Sequence, residues 1–92
     1  MATFCITYDL MKSKEDYVDL IKAIKELGEW WDCLDSTWLV VSGHSAGQIC
    51  DMLKRHLDRS DRILVFPVGK KWASDGFRKP CLEWLQKNWE PG

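Results

Sequence analysis

Asp9 is the carboxylate whose position most invites chemistry in this chain of 92 residues. It closes an alternating stretch, residues 3–8, in which Phe4, Ile6 and Tyr8 share one side and Thr3, Cys5 and Thr7 the other, the pattern of a strand. Mg²⁺ takes oxygen ligands and keeps several of its waters, so one or two carboxylates are enough to hold it. Two copies of Asp9 brought together across a two-fold axis would supply such a pair. The plainer reading is a turn-starting Asp bonded to nearby backbone N–H groups.

His44, in a loop between Gly43 and Ser45, is the candidate for acid–base work, because imidazole titrates near neutral pH. Ser45, His44 and Asp9 make a triad on paper, but no nucleophile-elbow pattern accompanies them. His44 and His56 lack the spacing of a metal pair, and no cysteine stands beside them as in a zinc finger. A third group is basic: Lys70, Lys71, Arg78 and Lys79 flank Trp72 and Phe77. Cations interleaved with aromatics suit a groove that tracks phosphates and stacks bases. They equally suit a solvated edge that deters sheet-to-sheet aggregation.

The bulk numbers restrain these readings. A net charge of −1 and a pI near 6.1 remove the overall basic balance of a strong nucleic-acid binder and leave room only for a local patch. At 46% hydrophobic and 29% charged, the chain reads as ordinary globular material, one domain over residues 1–92. No apolar run approaches the roughly 18 residues that span a bilayer, so no membrane association is expected. The start carries no basic leader, which predicts a cytoplasmic protein. The four cysteines, Cys5, Cys33, Cys50 and Cys81, form no C-x-x-C pair and lie mostly in apolar patterns, so reduced thiols are expected.

The elements that must position these groups follow from spacing. Tyr17, Leu20, Ile21, Ile24 and Leu27 recur at helical intervals behind Ser13 and Asp16, which resemble a capping box, and Gly28 suits the C-terminal cap. Residues 30–34 and 36–42 read as a hairpin turning at Asp35. Ser45 and Gln48 make a second capping box before Ile49, Met52, Leu53, His56 and Leu57. Residues 63–68 are a nearly continuous apolar run, as expected of a strand covered on both faces. Pro80 then suits the first position of a last helix with Leu82, Leu85 and Trp89 on one stripe. The order β-α-β-β-α-β over residues 3–68 predicts an α+β ferredoxin-like sheet with both helices on one face. The other face then needs a cover, either the C-terminal helix in the extension 69–90 or a second copy.

Six tryptophans are the compositional oddity. In an extended strand Trp30 and Trp31 point to opposite faces, so at least one ring leaves the helix-covered core. In the cluster Trp31, Cys33, Asp35, Ser36, Thr37 and Trp38, an exposed Trp could stack a base or anchor a protein partner, and Ser36 and Thr37 could donate to a phosphate. Core or interface packing explains them more simply.

Thr7-Tyr8-Asp9-Leu10, the helix running to Leu27-Gly28, and Leu64-Val65-Phe66-Pro67-Val68 resemble the small CRISPR-associated ribonuclease and adaptation-dimer family, relatives of the VapD-type endoribonuclease toxins. Over nearly the whole chain, Tyr8-Asp9-Leu10, the Trp-Trp-x-Cys-Leu-Asp-Ser-Thr-Trp stretch at 30–38 and the Gly-Phe-containing segment 76–89 resemble the short bacterial proteins called SinR-like. The resemblance implies a ferredoxin-like homodimer with Asp9 near its axis as a Mg²⁺ ligand, acting on RNA or DNA by phosphodiester cleavage or serving as a scaffold on DNA. The competing expectation is a non-catalytic module, an immunity, inhibitor or regulatory protein that binds another protein through its tryptophans and acidic surface.

Overall fold

The computed structural model describes residues Met1–Gly92. Four strands, β1 (Ala2–Asp9), β2 (Trp30–Leu34), β3 (Thr37–Ser42) and β4 (Arg62–Pro67), form one antiparallel sheet in the order β2-β3-β1-β4. Three helices join them: α1 (Val18–Lys25), α2 (Ala46–Lys54) and α3 (Lys79–Asn88). No helix is long and apolar enough to cross a membrane.

The two capping boxes fare differently. At α2 the Ser45 hydroxyl accepts from the Gln48 backbone N–H (3.1 Å) while the Gln48 side chain accepts from the Ser45 N–H (2.8 Å), so two orphan donors are satisfied reciprocally. At the earlier site Asp16 is too short to reach back. Its carboxylate takes the Ser13 hydroxyl instead (3.2 Å), and the chain runs through a 3-10 turn, Lys14–Tyr17, before α1 begins. Gly28 lies beyond the α1 cap rather than at it. Its φ of +154° and the Val41 carbonyl, 2.0 Å from where a Cβ would sit, leave room for no other residue. That close approach brings the chain into β2, where the Glu29 carbonyl accepts from the Val41 N–H.

One face of the sheet carries Phe4, Ile6, Trp38 and Val40, sealed by Tyr17, Leu20 and Ile24 from the first helical segment and Ile49 and Leu53 from α2. The opposite face holds a smaller cluster, Trp31, Leu39, Val68 and Leu85, with α3 laid over it. Trp30 and Trp31 do part company as strand alternation requires. Trp31 is buried beneath α3, its indole donating to the Cys81 carbonyl (3.1 Å), while Trp30 stays 38% exposed against Trp38.

The cysteines depart from expectation. Cys33 in β2 and Cys81 in α3 are joined by a disulfide across 48 residues, where reduced thiols were expected. Their distance along the chain hid the pairing, since only docking of α3 on the far face brings the Cα atoms to 6.3 Å. Cys5 and Cys50 remain free, and burial pushes the Cys5 thiol above its usual range, which keeps it protonated. The other end of α3 is tied to β1 through Thr3, fully buried, which accepts from the Glu90 N–H and donates to the Asn88 carbonyl.

α3 covers only part of its face. By strand alternation Thr7, Asp9, Leu64 and Phe66 point to the same side as Trp31 and Leu39. Leu64 and Phe66 nevertheless remain 59% and 42% exposed. β4 is also an edge strand. Because the Val68 N–H bonds back to Thr3, alternation along β4 turns the backbone of Ile63, Val65 and Pro67 outward. Pro67 lies at the rim, where its missing N–H breaks no ladder bond.

Candidate functional site

Asp9 stands exposed at the end of β1, where its carboxylate takes a hydrogen-bonded ion pair from Arg62 at 3.0 Å. Register explains the pairing, because Asp9 and Arg62 are opposite one another at the ends of β1 and β4. No group of three or more His, Cys, Asp or Glu side chains lies close enough to hold a metal ion. Within one chain, therefore, Asp9 offers a single carboxylate already paired with a guanidinium.

His44 sits in the exposed loop between β3 and α2, its backbone N–H held by the Ser42 hydroxyl (3.1 Å). Ser42 is opposite Ala2, at the other end of β1 from Asp9. Seven residues of strand, on the order of 23 Å, separate the two ends. The sheet thus does not bring Asp9 and His44 together, nor Ser45, which caps α2 beside His44.

The four basic residues form two pairs. Lys70 and Lys71 follow β4 at the Ala2 end, in a segment fixed by the Trp89 indole donating to the Gly69 carbonyl (2.7 Å). Trp72 stacks on Trp89 at 5.4 Å with 37% of its surface exposed. Arg78 and Lys79 open α3 at its opposite end, beside the disulfide to β2. The ten-residue length of α3, about 15 Å, lies between the pairs.

Spacing alone had not revealed a cleft of about 430 Å³ between α1 and the β2–β3 hairpin. Its walls include Tyr8, Leu10, Ile21, Leu34 and Trp38, with Lys14 and Lys25 on the helical side and Asp32 and Asp35 on the hairpin. Trp38 donates its indole N–H to the Tyr8 oxygen at 2.9 Å. Lys25 rests over the Trp30 ring, 4.7 Å from its centroid. The hairpin turns at Asp35 and Ser36, and Ser36 carries the one positive φ among non-glycine residues, +57°. Its carbonyl is fixed by the Tyr8 N–H and the Thr7 hydroxyl. The legible signal was the clustering of tryptophans with Asp35 and Ser36; that Lys14 and Lys25 face them required the helix to be docked.

Behind the cleft the Tyr17 hydroxyl donates to the Asp61 carboxylate at 2.8 Å. Asp61 also accepts from the backbone N–H groups of Met11 and Asp58. Partial burial raises the Asp61 pKa, but these donors outweigh it and hold the carboxyl below its ordinary value. Neighbouring Lys12 bonds Asp58 at 2.7 Å, which lifts its own pKa. This network ties the loop after β1 to the loop before β4. Comparison with protein families and with curated proteins finds no match for this chain.

Proposed function

We propose that the chain is a nucleic-acid-binding protein that acts as a homodimer of ferredoxin-like subunits. The observation that carries the binding reading is Trp72, stacked on Trp89, partly exposed, and preceded directly by Lys70 and Lys71. A fixed aromatic ring next to two ammonium groups offers an unpaired base a stacking surface and its phosphates a counter-charge. The strand order read from the β4 edge, β4-β1-β3-β2, with two helices on one face, supports the ferredoxin-like description. The bare Leu64 and Phe66 support the dimer, because a second copy on that uncovered half-face would bury both. Asp9 belongs to the same half-face, so such a dimer would set two Asp9–Arg62 pairs near its axis. Two carboxylates would give Mg²⁺ a pair of protein ligands in place of one, and phosphodiester cleavage is the catalytic form of this proposal.

The test is binding of labelled single-stranded RNA and DNA against salt. Affinity should fall with a log–log slope of about −0.7 per phosphate neutralised on a single strand. Replacing Lys70 and Lys71 by alanine should reduce that slope by one to two such steps with the fold intact, both side chains being exposed. No binding to either strand type near 50 mM salt would sink the reading. Mg²⁺-dependent cleavage lost in Asp9→Ala, with binding retained, would establish the catalytic form; cleavage retained would remove Asp9 from it.

The specific observation favouring a non-catalytic protein-binding module is the Asp9–Arg62 pair, which leaves the carboxylate satisfied without a metal. Stable capture of a protein partner by a protein that binds no nucleic acid would make that the better reading. The cytoplasm is the proposed compartment; it stands in tension with the Cys33–Cys81 bond, which an oxidising environment preserves.

A further inference from the structure

The cleft between α1 and the β2–β3 hairpin is built like a ligand site. Its volume, about 430 Å³, falls in the range of small-molecule sites, roughly 300–1,000 Å³. Tyr8 lines it with aromatic surface beside the edge of Trp38, which is only 5% exposed, and Leu10, Ile21 and Leu34 add aliphatic walls. The charges are sorted by side, with Lys14 and Lys25 on the helical rim and Asp32 and Asp35 on the hairpin rim. None of these four takes part in an ion pair; the three pairs of the protein are Lys12–Asp58, Lys54–Asp51 and Arg62–Asp9. Lys25 is nonetheless positioned, because its ammonium rests on Trp30, which in turn packs on Trp38 at 5.5 Å. The Tyr8 oxygen accepts from Trp38 and its O–H has no protein acceptor, which leaves a donor free at the cleft wall.

We infer that this cleft binds a single unpaired nucleotide whose base carries an amino group where uracil and guanine carry an oxygen, cytosine or adenine, through Tyr8 and the edge of Trp38 at the base, Lys14 and Lys25 at the phosphate, and Asp32 and Asp35 at the amine. Each part of such a ligand meets its complement. A planar base gains most from aromatic and aliphatic walls. A phosphate needs cations on one side only. An amino group donates to a carboxylate, whereas the corresponding oxygen of uracil would face it as a second acceptor. The inference deepens the nucleic-acid reading but uses surface remote from Lys70, Lys71 and Trp72, so the two can fail separately.

The experiment is a titration of the full chain with cytidine, adenosine and uridine monophosphates and with inorganic phosphate, followed by ¹⁵N–¹H spectra. The indole N–H of Trp38 should move with the first two, and uridine monophosphate should bind at least several-fold more weakly. Lys25→Ala and Lys14→Ala, both exposed positions, should each weaken cytidine monophosphate by about ten-fold, the loss of one charge-assisted contact, while Lys25→Arg restores much of it. A short single strand of cytidines showing the same Trp38 shift would mark the ligand as part of a nucleic acid; a shift with the monophosphate alone would mark it as a free nucleotide. Either supports the site. Three results would overturn it: no indole shift at millimolar nucleotide, equal response to uridine monophosphate or phosphate, or indifference to both lysine variants. Salt-dependent RNA binding that depends on Lys70 and Lys71 but leaves Trp38 unmoved would discard the cleft and keep the proposed function.

Discussion

The two faces of the sheet solve the same problem by different means. On the helix-covered face, nine buried residues interlock without a covalent tie, and the first helical segment and α2 are continuous with the strands they cover. On the other face a four-residue cluster lies under a helix that arrives from the end of the chain, pinned by a disulfide at one end and by Thr3 at the other. The first face is held by packing, and the second by packing plus anchors. In a domain this small the apolar area available for two complete layers is limited, and covalent cross-links commonly make up the difference.

The largest expected effect breaks the anchored face. Converting Cys33 and Cys81 to alanine removes a constraint on a loop of 48 residues, worth about 4 kcal/mol on the chain-entropy estimate. Denaturation of wild type with and without reductant should reproduce most of that loss. Amide exchange should show the loosening at Leu39, Val68 and α3 ahead of Leu20 and Ile24. Equal loosening on both faces would mean that the sheet melts as one unit and that the two faces are not held by different means.

A packing comparison comes next. Leu20→Ala in the nine-residue core leaves a cavity with no exit and should cost about 3 kcal/mol. Leu85→Ala under α3 should cost less, about 2 kcal/mol, because the helix can settle onto the gap, and less still once the disulfide is reduced and the helix is freer to move. Urea midpoints for the two variants, each with and without reductant, test the sign of that coupling.

The smallest effect is in pH. Asp61, with its folded pKa held below the ordinary 3.8, stabilises the native state above that value. The contribution should be complete above about pH 4–5 and fade as pH falls through the depressed folded value, loosening the loops at Met11 and Asp58. Asp61→Asn should flatten the acid limb of a stability–pH profile; an unchanged limb would show that the carboxylate titrates alike in both states.

Much of the helix-covered face could be read in the residue order, and the reasons are local. Alternation in residues 3–8, the apolar spacing of Leu20 and Ile24, and the Ser45–Gln48 box are each set by the backbone's own period or by bonds within one turn. The Ser13–Asp16 box failed for an equally local reason, one methylene too few. Asp9 was legible as a strand-end carboxylate. Its partner Arg62, fifty-three positions along the chain, was not.

What the sequence by itself determined, then, is the succession of strands and helices, the separation of Trp30 from Trp31, and the need for a cover on the far face. Tertiary structure alone decided that α3 is that cover and that it reaches only part of the way. It also joined Cys33 to Cys81, paired Asp9 with Arg62, held His44 at the opposite end of the sheet, and set two lysines facing two aspartates across an aromatic cleft. The physical reason is range: hydrogen-bonded periodicity repeats every two to four residues and leaves its mark in composition, whereas a contact between distant segments depends on strand register and helix docking, which no short window of residues contains.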